Sequence, residues 1–137
     1  MTDGGDVRSY DLAILGVGAV GSGALLHAAT MGLNVIGFER FQPGHHHGSS
    51  HGETRLIRKA YFEAPAYVPL IERAYTKWRA LEARVGRQLL CTSGIVEVGP
   101  EHGEVVSGVL HSANRHGLEI ERLSSLEVER RFPGLRI

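Results

Sequence analysis

The chain has 137 residues, of which 42% are hydrophobic and 22% charged, so it is long enough for one globular domain with a modest core. Its 15 lysines and arginines balance its 15 aspartates and glutamates, which disfavours nucleic acid or an anionic membrane as a partner. A single cysteine, Cys91, excludes an internal disulfide and suits a reducing compartment.

The N-terminal region has neither the length of apolar sequence nor the charge of a targeting segment. Its longest apolar run, Leu12–Leu15, is far too short to cross a bilayer. Residues 1–6 are acidic where a secretory signal is basic. We therefore expect a cytoplasmic protein.

Residues 10–40 predict a strand, a helix and a second strand in succession. Leu12–Leu15 is a continuous apolar run, which is typical of a parallel strand buried on both faces. A glycine-rich turn follows, residues 24–31 have a helical pattern, and Gly32 stands at the position of the C-terminal cap. Residues 34–38 predict the second strand, so the expected fold class is α/β with a Rossmann-like βαβ unit.

The spacing of the turn, G-x-G-x-x-G, indicates dinucleotide binding. Gly16 permits a tight turn, Gly18 lets the main chain approach a pyrophosphate, and Gly21 lets the helix pack closely on the sheet. The N–H groups at the start of the helix then face the phosphates. Glu39, eighteen residues after Gly21, is placed to accept hydrogen bonds from a ribose diol and would repel the 2′-phosphate of NADP. The motif leaves FAD and NAD both open, with a merely structural glycine turn as the alternative.

Three consecutive histidines, His45, His46 and His47, follow this unit. Adjacent side chains in an irregular run diverge, and no carboxylate or cysteine stands at a persuasive ligand spacing. The sequence therefore predicts no metal site here, and an affinity tag is disfavoured because the run is internal and short. We expect these histidines to lie in a solvated polar loop.

The tetrapeptide SHGE at residues 50–53 matches the capping-box pattern S-x-x-E and predicts a short helix over residues 54–58. Arg55 and Arg58, three apart, would lie on neighbouring sides of its first turns. Cations at a helix N-terminus oppose the helix dipole unless an anion lies nearby. These arginines are therefore either part of a ligand site, where their donor forks would suit a carboxylate or a flavin ring, or ordinary surface residues.

Further helices are expected over residues 67–85 and 101–116, the second stopped by Gly117. The first has a core-facing stripe made of Val68, Ile71, Tyr75, Trp78, Leu81 and Val85. A last helix is expected near residue 124, where the candidate capping and first-turn residues are Ser124, Ser125, Glu127 and Glu129.

Short strands are expected over residues 94–98 and 119–123, and Cys91 is expected to be a small buried residue at the start of a strand. These elements suggest a second, mixed α+β region. We expect a cofactor-binding domain over residues 1–90 and the beginning of a substrate domain over residues 91–137.

Three segments carry a more specific pattern: GSSHGETRLIRKAY at residues 48–61, YVPLIERAYTKW at residues 67–78 and TSGIVEVGP at residues 92–100. Together they resemble the monomeric sarcosine oxidase and N-methyl-amino-acid oxidase family of FAD enzymes. The likeness covers nearly the whole chain, and its G-S-x-H-G-x-[ST]-R-x-[IL]-R pattern is far more specific than the glycine motif. The resemblance implies FAD rather than NAD.

The resemblance also implies a role for each matching residue. The expected cofactor-binding residues are Gly16, Val17, Gly18, Ala19, Val20, Gly21, Glu39, Arg40, Ser49, Ser50, His51 and Arg55. The glycine turn would hold the FAD pyrophosphate, Glu39 with Arg40 beside it the adenosine ribose, and residues 49–51 the length of the flavin. The expected catalytic residues are Arg55 against the flavin ring, Arg58 on the substrate carboxylate, and His51.

The reaction of that family is oxidation of the C–N bond of a secondary amine such as sarcosine. Hydride equivalents pass to the flavin, the imine hydrolyses, and oxygen reoxidises the flavin with release of hydrogen peroxide. The implied partners are a small amino-acid substrate and molecular oxygen, and the implied state is a monomer. Family members are considerably longer, so we expect the chain to be an N-terminal portion that is inactive alone. An NAD-dependent dehydrogenase and a non-catalytic dinucleotide-binding fragment are the alternatives.

Overall fold

A strand, a helix and a second strand open the described chain. A computed structural model describes residues 8–137, and the acidic stretch considered above, residues 1–6, lies outside them. Contacts divide the chain into two compact units after Arg55, and the second unit runs from Leu56 to Ile137. The predicted boundary at residue 90 is a functional one and stays a prediction.

The first unit is the predicted βαβ unit. Strand β1 (Leu12–Leu15) pairs in parallel with β2 (Val35–Phe38), and helix α1 (Ala19–Thr30) connects them and packs on both. The register places Leu12 opposite Val35 and Leu15 opposite Phe38. The predicted order is therefore confirmed, and the helix starts earlier than residue 24 because it begins within the glycine motif, directly after Gly18.

The end of α1 also follows the prediction. The N–H of Gly32 donates to the carbonyl of Ala29, and Gly32 adopts a positive φ of 86°, a conformation that ends helices with a glycine after the last turn. The N–H of Asn34 donates to Asp11 Oδ2 at 2.7 Å. Strand β2 begins at Val35, one residue later than predicted.

The predicted burial of β1 on both faces is wrong for the described chain. Ile14 is half-buried, but Leu12 is exposed and Leu15 has 85% of its surface exposed. Helix α1 covers one face of the two-stranded sheet, and no other element within residues 8–137 packs extensively on these strands. The apolar composition of the strand is thus only partly used for packing.

The second unit contains three helices: α2 (Val68–Val85), α3 (Glu104–His116) and α4 (Ser125–Arg131), with a short 3-10 turn, Pro65–Tyr67, leading into α2. Its fully buried side chains include Val68 on α2 and Ser112 on α3. Ser112 Oγ donates to the carbonyl of Tyr61, which joins α3 to the segment before the 3-10 turn. The core of this unit therefore lies where α3 meets that segment.

The apolar stripe predicted on α2 is only partly buried. Val68 is fully buried, and Ile71, Tyr75 and Leu81 are half-buried. Trp78 and Val85 are exposed in the described part of the chain, which corrects their assignment as packing residues. The helix ends at Gly86, which takes a left-handed conformation with φ of 65°.

Two predicted strands are absent. Residues 94–98 and 119–123 are extended or irregular, because no segment between residues 8 and 137 forms a backbone ladder with either of them. Cys91 is exposed rather than buried, since it precedes an unpaired segment instead of a strand. A strand requires a partner, and local sequence does not supply one.

The two predicted helix caps had different outcomes. At α4 only a serine cap was predicted, with Ser124 and Ser125 as candidates; Ser124 is the cap, and it forms a full capping box, because its Oγ accepts from the N–H of Glu127, whose carboxylate accepts from the N–H of Ser124 at 2.8 Å. The box predicted at residues 50–53 and the helix over residues 54–58 are wrong. Gly52 takes a φ of 117°, outside the helical region, and the hydroxyl of Ser50 is bound elsewhere.

No helix within the described residues combines the length and the apolarity required to span a bilayer.

Candidate functional site

The glycine turn between β1 and α1 requires glycine at two positions for different reasons. Gly16 has a φ of 89°, which side-chain-bearing residues rarely adopt. A Cβ added to Gly21 would overlap the carbonyl oxygen of Gly16, so helix and turn approach more closely than any side chain allows. Helix α1 has no acidic residue in its first turn, and its N-cap residue, Gly18, has no side chain, so the N–H groups of the first turn that Ser50 does not bind are suited to an anion.

Glu39, directly after β2, is bound to this turn. Its Oε2 accepts from the N–H of Val17 at 2.8 Å, and its Oε1 accepts from the N–H groups of Arg40 and Phe41 at 2.7 and 3.3 Å. The hydrogen bond from Val17, followed by that from Phe41, holds the pKa of the Glu39 carboxyl below its usual range. The structure therefore places an ionised carboxylate beside the turn, and its predicted role towards a ribose stays a prediction.

Ser50 joins the following loop to the start of α1. Its Oγ accepts from the N–H of Ala19 at 3.2 Å and would lie in ordinary contact with a Cβ at Gly18. A hydroxyl oxygen thus occupies a position at the helix N-terminus where a phosphate oxygen is also favoured. This contact between residues 31 apart in sequence was not predicted, because the capping-box pattern assigned Ser50 to a different helix.

Arg55 lies across the same loop. Its Nη1 donates to the carbonyl of Thr54 at 2.7 Å, and its Nη2 to the carbonyl of Ser49 at 3.2 Å. Gly52 lies directly under the guanidinium, where a side chain would collide with it. Arg55 has no carboxylate partner in the part of the chain that the structure describes, so its charge is held by neutral carbonyls.

The remaining predicted cofactor residues make fewer contacts with the glycine turn. The N–H and the ring Nδ1 of His51 both face the carbonyl of Gly48, which fixes a tight turn in the loop. The guanidinium of Arg40 lies over the ring of Phe41 at 5.3 Å from the centroid. Val20 is 88% exposed in the first turn of α1.

The histidine run is not a solvated loop throughout, which corrects the prediction. The rings of His45 and His47 pack against Phe41, with centroids 5.0 and 4.4 Å away. His45 Nε2 lies 3.3 Å from Glu39 Oε1, whereas His46 is exposed. His45 is therefore a candidate site residue that the sequence did not reveal. Among the residues described, no three His, Cys, Asp or Glu side chains converge as metal ligands would.

Arg58, in the second unit, lies in a cluster of acidic and aromatic side chains. Its Nη2 pairs with Glu63 Oε1 at 2.7 Å, and its Nη1 with Glu97 Oε1 at 3.2 Å. Its guanidinium carbon lies 4.7 and 4.9 Å from the ring centroids of Tyr61 and Phe62. Two carboxylates and two ring faces thus surround one cation.

These contacts set the charge states of the cluster. The hydrogen bond to Glu63 is the largest cause that raises the pKa of Arg58, against the opposing effect of desolvation. Desolvation raises the pKa of Glu63, but hydrogen bonds and the charge of Arg58 together bring it below its usual value. Glu97 was missed from the sequence, where its only signal is one charged residue within the apolar run at residues 95–98.

The structure therefore brings one group of predicted residues into direct contact within the first unit. Hydrogen bonds and close packing join Gly16, Val17, Gly18, Ala19, Gly21, Glu39 and Ser50. Arg55 and His51 belong to the same unit through the loop, and Arg58 belongs to the second unit.

Comparison with known proteins agrees with this geometry. Residues 11–137 match the family model described as FAD dependent oxidoreductase. The chain is 43% identical over 127 residues to monomeric sarcosine oxidase of Streptomyces avermitilis, which covers 93% of this chain and 33% of that protein. It is 40% identical over 124 residues to N-methyl-L-tryptophan oxidase of Yersinia pestis and of Yersinia pseudotuberculosis, which covers 90% of this chain and 33% of those proteins.

The chain thus spans about a third of the length of these curated relatives. The match to the family model extends over both compact units and includes the glycine turn and Glu39. It decides between the two cofactors that the turn alone left open, in favour of FAD. The chain belongs to the FAD dependent oxidoreductase family.

Proposed function

We propose that the protein is an FAD-dependent oxidase that acts on the C–N bond of a secondary amine, such as sarcosine or another N-methyl amino acid, with an imine or aldehyde and hydrogen peroxide as products. The observation that carries the proposal is the glycine turn held against Glu39, in a chain whose relatives are named as sarcosine and N-methyl-L-tryptophan oxidases. The substrate would be a small amino acid with molecular oxygen as the oxidant. A monomeric, cytoplasmic enzyme is part of the same proposal.

The residues of the first unit fit the adenosine diphosphate half of FAD. The first N–H groups of α1 and the hydroxyl of Ser50 would bind the pyrophosphate, and the absence of a Cβ at Gly18 leaves room for it. The ionised Glu39 would accept from the ribose diol. Its negative charge also disfavours a 2′-phosphorylated nucleotide.

Residues of the loop would contact the flavin half. When bound, FAD would supply the acceptor of two electrons in amine oxidation, and oxygen would regenerate it. The loop residues proposed to lie along the ring system are Ser49, Ser50, His51 and Arg55. Arg55 is suited to stabilise negative charge there because, among residues 8–137, its guanidinium is held by carbonyl oxygens and by no carboxylate.

Arg58 would bind the substrate carboxylate. Each acid engages one of the five N–H donors of the guanidinium, so a substrate carboxylate would bind the remaining donors or replace one of the acids. The side chain of Glu63 is 41% exposed and that of Glu97 is 15% exposed, so Glu63 is the partner that an incoming acid would displace. Arg58 would then keep one internal carboxylate and accept one from the substrate.

Direct titration tests the cofactor half of the proposal. We expect the chain to quench flavin fluorescence on binding FAD and to prefer FAD to NAD. Preference for NAD would support a dehydrogenase instead. Binding of neither nucleotide would remove the basis of the proposal.

Peroxide release tests the reaction. When the whole protein is assayed with FAD bound and oxygen present, sarcosine and N-methyl-L-tryptophan should yield hydrogen peroxide, whereas glycine, which lacks the N-methyl group, should not. FAD binding without peroxide from any secondary amine would leave a non-catalytic flavin-binding chain.

Arg58→Ala, made in the whole protein, tests the carboxylate-binding role. Loss of a hydrogen-bonded charge pair costs about 1.5–3 kcal/mol, so KM for carboxylated amines should rise about ten- to a hundredfold with a smaller change in kcat. Arg73→Ala is the matched control, because Arg73 is exposed on α2 and forms no ion pair within the described residues. Equal KM values for the two variants would contradict the role of Arg58.

A further inference from the structure

The two ring nitrogens of His45 have different partners, a main-chain hydrogen bond at Nδ1 and a close contact with a carboxylate at Nε2. Nδ1 accepts from the main-chain N–H of His47 at 3.0 Å, and Nε2 lies 3.3 Å from Glu39 Oε1. An acceptor Nδ1 carries no proton, whereas a nitrogen that faces a carboxylate must donate one. The neutral imidazole with its proton on Nε2 satisfies both contacts at once.

Packing fixes the plane of this ring. The His45 ring meets the ring of Phe41 edge to face at 64°, and the N–H of His45 donates to the carbonyl of Gln42 at 3.1 Å. Only 19% of the side chain is exposed. The imidazole is therefore held in one orientation against the carboxylate.

The two oxygens of Glu39 have different capacity left for a ligand. Oε1 faces three donors: the N–H groups of Arg40 and Phe41 and the ring of His45. Oε2 accepts from the N–H of Val17 alone among the described residues. A carboxylate oxygen offers about two acceptor sites, so the two N–H groups fill Oε1, with the His45 ring in contact beside them, and Oε2, beside the glycine turn, retains one site.

We propose that His45 is a positioning residue for nucleotide recognition: by holding Oε1 of Glu39, it leaves Oε2 directed to the ribose diol of the adenosine. This inference rests on the proposed function, because it requires an adenosine ribose at Glu39. His45 itself makes no contact with the nucleotide in this arrangement. Its effect is on the geometry of the acceptor, so it should change selectivity for the diol more than overall affinity.

The test compares ADP with 2′-deoxy-ADP, which lacks one hydroxyl of the diol, as probes for the full 137-residue chain. The wild type should bind ADP at least about tenfold more tightly than 2′-deoxy-ADP, as expected for a hydrogen bond to a charged acceptor. In His45→Gln the amide nitrogen can replace Nε2 as donor to Glu39. In His45→Asn the amide oxygen can replace only Nδ1. His46→Gln is the matched control, since His46 makes no side-chain hydrogen bond with any residue described.

We expect His45→Gln and His46→Gln to keep the preference for ADP, and His45→Asn to lower it to less than about threefold. A merely structural role would weaken both ligands in parallel and leave the ratio unchanged in His45→Asn, which would overturn the inference while the proposed function stood. Binding of neither probe by the wild type would overturn both.

A second measurement needs no variant. Nitrogen-15 NMR of the wild-type histidine rings should find His45 as the neutral tautomer with its proton on Nε2. The opposite tautomer, or rapid exchange between the two, would overturn the inference even if every variant failed to fold.

Discussion

Glu82 is a single carboxylate that holds together the end of α2 and the chain beyond it. Its Oε1 accepts from the N–H groups of Leu89 and Leu90, each at 2.7 Å, and its Oε2 accepts from Arg79 Nη1 at 2.8 Å. The hydrogen bond from Leu90 is the largest cause, followed by that from Arg79, and together they lower the pKa of Glu82 to about 2. All of these donors favour the ionised form.

The stability contributed by Glu82 should therefore depend on pH. A carboxyl whose pKa is depressed on folding stabilises the native state above its unfolded value, here 4.5, and this contribution is lost as the pH falls through about 2. Replacement by glutamine should lower the urea midpoint at pH 7, and the difference from wild type should vanish towards pH 2. Glu129→Gln, an exposed position on α4, serves as control. A difference between wild type and Glu82→Gln that is independent of pH would contradict the assignment.

For individual residues, the sequence predicts which residue types carry the chemistry but not which residues they contact. Glu39 was predicted from its distance to the glycine turn, because strand length fixes where β2 ends. The acids that hold Arg58 lie 5 and 39 positions away in sequence, and a contact between Arg58 and Glu97 depends on how the chain folds back. His45 escaped notice because its role depends on the rings and the carboxylate packed around it.

Among the secondary-structure elements, β1 and α1 can meet closely because glycine at their junction has no side chain. A Cβ at Gly21 would overlap the Gly16 carbonyl oxygen, whereas a Cβ at Gly23, two residues along the same helix, would meet nothing. The same substitution at these two positions should thus have opposite consequences. The close approach at Gly21 keeps the N-terminus of α1 next to the turn.

Gly21→Ala should weaken FAD binding and lower stability by about 1–3 kcal/mol, because backbone must move to admit the methyl group. Gly23→Ala should leave FAD binding unchanged and stabilise α1 by up to about 1 kcal/mol, since alanine favours a helix more than glycine does. Urea unfolding and flavin fluorescence titration measure both effects. If the two variants behave alike, the close packing at Gly21 is not a requirement of the site.

Elements whose signals are local were predicted well. The confirmed serine cap of α4 needs residues only three apart, and the turn after β1 needs a hexapeptide. The strands expected at residues 94–98 and 119–123 failed because pairing is a property of two segments. The box predicted at residues 50–53 failed for a related reason: the Ser50 hydroxyl is bound by the start of α1, a distant competitor for the same oxygen.

At the scale of the whole molecule, much apolar surface stays exposed within the described chain. Leu15 and Val20 in the first unit and Leu56 in the second are each at least 85% exposed. Apolar burial is the main force that stabilises folded chains, so a chain that buries few large side chains has little stability in reserve. A ligand that binds only the folded form should then have a large relative effect on stability.

Nucleotide binding should act on the first unit in particular. A ligand present at a hundred times its Kd stabilises the state that binds it by about 2.7 kcal/mol, equivalent to about a hundredfold slower exchange of amides that open with that state. Because the proposed contacts come from residues 16–21, Glu39 and Ser50, ADP should slow hydrogen exchange in β1, α1 and β2.

Amides of α3, in the second compact unit, should exchange at the same rate with and without ADP. Hydrogen-exchange mass spectrometry of peptides from both units, at matched protein concentration, measures the two effects together. 2′-Deoxy-ADP at the same concentration provides a control for the ribose contact at Glu39. Equal slowing in α3 and β1 would show that the two units open as one cooperative structure, and protection of α3 alone would place the nucleotide away from the glycine turn.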